Sequence, residues 1–542
     1  MEQMNKIIWI GIFVFVGQCL NAQTPDSIKN LPAEQVEVIK QFEARLEDAR
    51  KVNTLPEPPA QRVLEKFNYS VNIRPIELAY LDPVIRPVAI PAKAKPIKYN
   101  GFVRAGGGNL NTLDAGLGYH FVTRNETGFT VNADYLTMEN KAERFQKRQQ
   151  IIADIGIDHN FNALVAFGAN IGYHQKDIGF YGSPLDFVPE DTTAYFRTIA
   201  DYGFGFNLYN AEENEYDVNY NLGFDFKNVS LRDENLDENN FKVDARIEKN
   251  INQQFNISLD GLVDITSIID TGSTSINNYH IKPGFAYNNE QFRFSAGVDF
   301  AFAKDKTYYL PDVEISYSLF DLGLIPYAFW NGNLQKNHMK SLVEYNPYLS
   351  ASVVPDLGNT VHNFYGLGFK GTVKKLNYDA KVSYGSVADL VMFRNQVNEL
   401  GLRQFVIQKD SANVLKFDVN AEYKFGDQLE MNAHFGIQDY DIYLFHIPTY
   451  QFDFGLKYYL LDQKLTINPS LYIRDGVNVF NDDFEDETLP YMLDLNLHAD
   501  YKIHDQFSLY VQFNNLLGSE YQQWYDYSNF GLNIQGGLKV RF

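Results

Sequence analysis

The sequence predicts an all-β chain: a closed transmembrane antiparallel β-barrel of about 22 strands, preceded by a short periplasmic helix and a Pro-rich segment. Three observations carry this reading. Apolar and polar residues alternate with period two from Ile97 to the last residue; 36 Tyr and 42 Phe stand among 542 residues; and the connections alternate between tight and long. Aromatic side chains favour strands, and so many of them argue against disorder. The 47 basic and 68 acidic side chains are spread along the whole chain. No stretch past the first two dozen residues holds a run of apolar positions long enough for a spanning helix, which excludes a helical membrane bundle. A net charge of −21 repels phosphate backbones, so nucleic acid is excluded as a partner.

Residues 1–22 read as a secretory signal peptide: Lys6, the apolar run Ile7 to Val16, and a small residue, Ala22, at the cleavage point. Cys19 follows Gln18, where a lipidation signal wants a small residue. Cleavage removes the single cysteine, so the mature chain relies on burial and backbone pairing without disulfides.

Residues 23–96 divide in two. Asn30-Leu31-Pro32 opens a helix with Val36, Ile39, Phe42, Leu46 and Ala49 on one face. Prolines 56, 58, 59, 75, 83, 87, 91 and 96 then force an extended strap. The strap is read either as a periplasmic spacer or as a segment that folds back into the barrel or docks a partner beneath it.

Residues 97–542 supply the barrel. In 491–503, Tyr491, Leu493, Leu495, Leu497, Ala499, Tyr501 and Ile503 form one face, and Asp494, Asn496, His498, Asp500 and Lys502 the other. Segments 376–384, 415–425 and 450–460 repeat the pattern. Tight connections at 320–321, 374–375, 426–427, 462–463 and 504–506 alternate with long ones at 336–360, 386–412, 438–447, 476–488 and 515–529, the asymmetry of an outer-membrane barrel. Upward strands are placed near 98, 128, 163, 216, 255, 291, 322, 376, 428, 464 and 507. Downward strands are placed near 113, 148, 198, 240, 278, 308, 361, 413, 449, 491 and 530. An even number lets the tail and the C-terminus share the periplasmic side, and closure removes every edge from lipid. Leu342 to Val354 fits a folded loop better than a further strand pair. In the last segment Phe530, Leu532, Ile534, Leu538, Val540 and Phe542 line one face.

That strand, with its terminal aromatic, resembles the sorting signal read by barrel-assembly machinery. Asn514-Asn515-Leu516-Leu517, Tyr521, Trp524, Tyr527 and the final strand look like the end of TonB-dependent receptor barrels, and Asp312 to Asn337 is similar to segments of plugless TonB-dependent-receptor-like proteins of Bacteroidota. The resemblance implies an outer-membrane transport barrel in contact with lipid and lipopolysaccharide. The chain departs from the family in residues 24–96, too short and proline-rich for a plug, and in Gln35 to Ile39, a TonB-box-like run that falls inside the helix. The long loops are modest in size, leaving little material for an extracellular ligand cage.

No catalytic constellation emerges, so an enzyme is not expected. The ten histidines are dispersed with no two at metal spacing, and neither metal nor cofactor is expected. His498 sits in an inward ladder. Asp482, Asp483, Glu485, Asp486 and Glu487 gather in one long loop without the spacing or glycine of a calcium loop, an acidic tip suited to contact lipopolysaccharide through divalent ions. The expected function is a passage for solute or a component of an outer-membrane transport complex. The alternative is a non-transporting scaffold whose lumen is filled by residues 24–96 or by another protein.

Overall fold

The computed structural model describes residues 99–182, 192–212, 214, 216–319, 323–481 and 485–542. The expected signal peptide, helix and strap lie outside the described residues. Twenty-two strands form one sheet. In chain order they begin β1 (Gly101–Gly108), β2 (Leu113–Val122), β3 (Thr127–Glu139), β4 (Lys147–Asn162), β5 (Val165–Gly179), β6 (Phe196–Tyr209), β7 (Val218–Leu231) and β8 (Leu236–Asn250). They continue as β9 (Phe255–Ile269), β10 (Ser273–Asn288), β11 (Phe292–Ala303), β12 (Lys306–Tyr317), β13 (Ile325–Asn337), β14 (Gly358–Val373), β15 (Leu376–Val397) and β16 (Arg403–Phe425). The last are β17 (Leu429–Tyr440), β18 (Tyr450–Leu460), β19 (Leu465–Asp475), β20 (Met492–His504), β21 (Phe507–Asn514) and β22 (Asn533–Arg541).

Each strand pairs antiparallel with its chain neighbour, and β1 pairs with β22 from Phe102↔Arg541 to Gly108↔Gln535, which closes the ring. Asn100 and Gly101 N–H donate to the Phe542 carbonyl at 2.9 Å, and Phe542 N–H donates to Gly101 O at 3.0 Å. The Phe542 ring stacks on Tyr119 with centroids 5.9 Å apart. The C-terminal aromatic therefore seals the seam between first and last strands.

Burial follows the alternation. Phe204, Phe206, Leu367, Phe369, Val382, Leu415, Phe417, Leu509 and Leu538 are all exposed on the outer face. A girdle of exposed apolar side chains on a closed sheet belongs in hydrocarbon, where a closed ring satisfies every backbone group; the barrel is an outer-membrane structure. Leu367→Arg should cost about 2–4 kcal/mol if the site lies at mid-bilayer, whereas removing the charge of inward-facing Lys381 should be near neutral. Urea unfolding in detergent micelles, read by heat-modifiable gel mobility, measures both.

Every strand placed from the sequence is present, and 342–354 is a folded loop, built from helix α1 (Met339–Tyr345) and a 3-10 segment (Ala351–Asp356). Three expectations are corrected. The span 386–412 is not a long loop: β15 and β16 run on to Val397 and Arg403, past their outer neighbours, after a bulge between Val387 and Leu390. The tight-and-long asymmetry is absent at 232–235, 270–272 and 304–305, where outer connections are as short as inner ones. The last strand begins at Asn533, because Gly531 takes φ +70°, a left-handed turn that places Phe530 and Leu532 ahead of it.

Candidate functional site

Two parts of the barrel can act on a solute: its inner wall and the layer of loops at the end with the longer connections. On the wall, charges pair between neighbouring strands. Arg104 on β1 lies between Asp114 of β2, at 3.2 Å, and Asp134 of β3, at 2.8 Å, and the Tyr510 hydroxyl donates to Asp114 at 2.8 Å. His174 on β5 lies between Asp154 of β4, at 3.0 Å, and Asp201 of β6, at 3.4 Å. Lys370 meets Glu314 and Arg474 meets Asp453, each at 2.7 Å. His498 lines the same wall, its ring centroid 6.3 Å from that of Tyr510 with the planes inclined by 26°. A cavity of about 460 Å³ opens among Arg104, Asp134, Gln150, His498, Gln535 and Lys539. Such cross-strand pairs hold their partners on the wall and leave a water-compatible surface.

The loops at the other end do not stand apart in solvent. Short periplasmic turns define the opposite end of such barrels, so this is the extracellular mouth, and here the loops share a buried apolar core. That core joins Phe180 and Tyr195 from the β5–β6 connection, Leu231 and Leu236 from the β7–β8 hairpin, and Leu342, Leu349 and Val353 from the β13–β14 connection. Phe393 and Phe405 from the β15–β16 hairpin, with Trp524 and Tyr527 from the β21–β22 connection, complete it. Tyr348 and Tyr527 stack with ring centroids 3.6 Å apart. Trp524 packs against Phe393 at 5.2 Å and Phe405 at 5.3 Å.

Two arginines, both with fully buried side chains, tie this core together. Arg197, at the outer end of β6, donates from Nε to Asp233 at 2.8 Å and from Nη1 to Pro347 O at 3.1 Å. It also reaches Leu349 O and Glu234, and its guanidinium lies over the Phe180 ring at 4.9 Å. Glu234 in turn accepts from the Ala351 N–H at 2.6 Å. Burial raises the Glu234 carboxyl above its usual range, opposed by the Arg197 charge. Arg403, at the outer end of β16, donates from Nε to Gly182 O at 3.0 Å and pairs with Asp526 at 2.6 Å. β5 and β16 stand nearly opposite on the ring, so the Arg403–Gly182 bond can form only if the loops span the mouth. They form a cap.

His446, from the β17–β18 connection, completes the core. Its Nδ1 donates to Phe393 O at 2.8 Å, its Nε2 accepts from Tyr525 N–H at 3.4 Å, and its ring stacks on Trp524 at 5.3 Å. Both nitrogens are thus used by the neutral imidazole, and burial pushes its pKa down to about 4.

The residues expected from the sequence fall elsewhere. Leu532, Ile534, Leu538 and Phe542 are exposed on the outer face, with Phe530 and Val540 half-buried. Glu485, Asp486 and Glu487 are exposed around a small hairpin (Asn478–Phe480 with Asp486–Thr488) in the β19–β20 connection, while Asp482 and Asp483 lie outside the described residues. Among the described residues no group of three His, Cys, Asp or Glu is placed to hold a metal ion. The loops, read as modest and with little material for an extracellular ligand cage, pack together into the cap. Its arginines, His446 and aromatic anchors carry one available signal: large apolar residues, such as Leu444-Phe445, Val353-Val354 and Trp524, inside segments read as loops.

No protein-family model matches the sequence, and no curated protein matches it. In structure the chain is similar to the FrpB iron transporter from Neisseria meningitidis, with a TM-score of 0.64, 9% identity and 82% of each chain covered. It is equally similar to the ferric-catecholate import receptor Fiu from E. coli K12, with a TM-score of 0.64, 9% identity and 82% of each chain covered. The copper transporter OprC aligns with a TM-score of 0.59 at 11% identity, over 83% of this chain and 84% of that one. These proteins are TonB-dependent receptors, and the barrel they share with this chain is one fold.

Proposed function

We propose that the chain is an outer-membrane passage for a solute, alone or within a transport complex, whose extracellular mouth is shut by the loop cap until something displaces it. The observation that carries this reading is the pairing of a wide 22-stranded ring, with charges facing its interior, and a separately packed cover over one end. A ring of this size has room for a lumen that must be closed by something other than its own side chains. The names of FrpB, Fiu and OprC attach barrels of this fold to iron, ferric catecholate and copper, which supports carriage over catalysis. The second reading, a non-transporting scaffold, is favoured by the apolar sealing of the cap, with residues 24–96 as filler or partner contact. Within either reading the outward face of Leu538, Val540 and Phe542 serves barrel assembly, and the acidic hairpin at Glu485, Asp486 and Glu487 faces lipopolysaccharide.

Single-channel recording in planar bilayers separates the two. For a passage, the full-length protein should be nearly silent at neutral pH, and deletion of the cap helix segment 339–356, with residues 24–96 also removed, should give steady conductance. A folded double deletion that stays silent would leave only the scaffold.

A further inference from the structure

One seam of the ring is built unlike the others. β11 and β12 pair from Phe292↔Tyr317 to Ala303↔Lys306, and β13 and β14 from Ile325↔Lys370 to Asn337↔Gly358. Between them, the β12–β13 ladder runs from Ser316↔Tyr327 to Asp312↔Asn331, the shortest of the ring among the described residues, with one further bridge, Leu319↔Leu324, at the inner turn and none on the outer side of Asp312. Past Asn331 the β13–β14 hairpin leaves the wall and lies against the inner faces of the preceding strands. Leu334 is buried with Ala301, Ala303 and Leu310. Asn278 and Asn359 exchange side-chain hydrogen bonds at 2.9 and 3.0 Å, Lys336 meets Asp264 at 2.7 Å, and His338 Nδ1 lies 2.7 Å from Glu238.

Two residues make this departure possible. Pro311 stands where the ladder stops and has no N–H to offer β13. Gly332 stands where the strands cross: a Cβ there would lie 2.8 Å from Pro311 Cδ and 2.9 Å from Leu310 Cβ. The wall therefore overlaps itself, with the outer ends of β11 and β12 outside and those of β13 and β14 inside. The slot between the layers is a closed apolar contact, with Tyr308 and Val361 packed against its four buried residues. It begins in the lipid-facing band, where Phe302, Tyr309 and Trp330 are exposed on either side of the break. Elsewhere the inner wall presents paired charges, and the cap closes the direct way out.

We propose that the β12–β13 seam is a lateral gate, through which amphiphilic molecules carrying an acyl chain pass between the outer leaflet and the lumen. A chain entering between Leu310 and Leu334 keeps apolar contact from hydrocarbon to the inner wall, and its polar head finds the charged pairs of the lumen. Opening the seam breaks side-chain packing and few backbone hydrogen bonds, because the ladder ends at Asp312. Closing it again is guided by the Asn278–Asn359 and Lys336–Asp264 pairs. The gate rests on the passage reading for a lumen that accepts the head group.

The test locks the slot. Leu310→Cys with Gly332→Cys places two Cβ atoms within about an ångström of the 3.5–4.5 Å a disulfide needs, in a Cys19→Ser background that removes the only native cysteine. The full chain is reconstituted in vesicles enclosing serum albumin, and NBD-labelled lysophosphatidylcholine is added outside. The protein should speed probe uptake at least tenfold over empty vesicles; oxidation of the pair should cancel the gain, and reductant should restore it. A control pair across a continuous ladder, Leu367→Cys with Val382→Cys, should change nothing on oxidation. Uptake that is equal in the locked and reduced states, or absent from the wild type, overturns the gate. So does failure of the pair to cross-link in a folded barrel. If Gly332→Cys prevents folding, Leu334→Glu puts a charge in the slot and should reduce uptake tenfold; unchanged uptake there overturns the gate equally. Ion conductance of the locked form, in a variant lacking the cap helix, reads the passage separately: current without probe uptake supports both readings, and probe uptake indifferent to the lock refutes the gate alone.

Discussion

Arg197→Ala should turn a closed barrel into a conducting one. The side chain is fully buried and serves four acceptors: the Asp233 and Glu234 carboxylates, and the carbonyls of Pro347 and Leu349. It thereby ties the outer end of the β6–β7 ladder, with the β7–β8 turn beside it, to the β13–β14 connection, which shares no backbone ladder with either. Truncation leaves two carboxylates and two carbonyls without the donor that justified their burial, and breaking a buried pair from one side costs about 3–5 kcal/mol. The strands flanking Arg197 are held by long ladders, β5–β6 over Ala166 to Gly179 and β6–β7 over Ile199 to Tyr209, so this cost falls on the docking of the cap. The variant should fold, keep its heat-modifiable mobility, and show open-channel current at neutral pH with residues 24–96 removed. Arg197→Lys should resemble it, since an ammonium cannot reproduce the guanidinium fork. Arg197→Met with Glu234→Gln should recover part of the closure, because no charge is then stranded, and the double-mutant cycle isolates the coupling. The Glu234 carboxyl is raised by burial, so its contribution is fully present below the unfolded value of 4.5 and is lost as pH rises through the raised value. Removing Arg197 takes away the charge that holds this shift down, so the Glu234 share of the variant's loss should shrink as pH falls, in the direction opposite to the His446 effect. A folded Arg197→Ala protein that stays silent would mean that the mouth is not what blocks the current.

The barrel was legible in the sequence because its two solvents, hydrocarbon outside and water inside, impose period two on every strand. Residues 491–503 show how far this goes: Tyr491, Tyr501 and Ile503, placed outward by parity, are exposed, and His498 and Asp500, placed inward, line the inner cavity. The same rule accounts for the failure at 386–412. The β15–β16 hairpin leaves the bilayer after Val387, and its faces then answer to the cap core and to water, so Phe393, Phe405 and Ile407 are buried without a lipid-facing counterpart. The seam at β12–β13 was also hidden, because a single proline or glycine in a strand marks no particular partner, and only the juxtaposition of Pro311 and Gly332 across two strands marks the crossing. Arg197, Arg403 and His446 could not be assigned because they lie far apart in the chain and meet only through the closure of the ring. The packing of the loops follows from a simple physical point. Loops that contain Trp524, Tyr527, Leu349 and Phe445 must bury that surface, and the nearest apolar surface is that of the other loops.

Acid should open the cap through His446. The imidazole is neutral in the folded protein, with Nδ1–H given to Phe393 O and Nε2 occupied by Tyr525 N–H. A second proton on Nε2 would displace the Tyr525 bond and place a charge among Trp524, Phe405 and Phe393, so burial depresses the pKa from 6.5 to about 4. A depressed base contributes stability that is fully present above the unfolded pKa and is lost as pH falls: between 6.5 and about 4 the displaced, hydrated ring binds a proton that the packed ring refuses. A shift of this size corresponds to about 3 kcal/mol by pH 4, comparable to the loss of a buried arginine partner and opposite in sign to the Glu234 trend. The channel lacking residues 24–96 should therefore pass current increasingly as pH falls below about 6, while Trp524 fluorescence reports its exposure. Trp330, the only other tryptophan beyond the signal segment, faces outward and should not respond. His446→Gln preserves a donor for Phe393 and an acceptor for Tyr525 without a titrating group. It should keep the cap closed at neutral pH and shift the opening midpoint to lower pH by at least one unit. An unchanged midpoint in a folded His446→Gln protein would assign the acid response to the carboxylates of the lumen wall and remove His446 from the gating of the mouth.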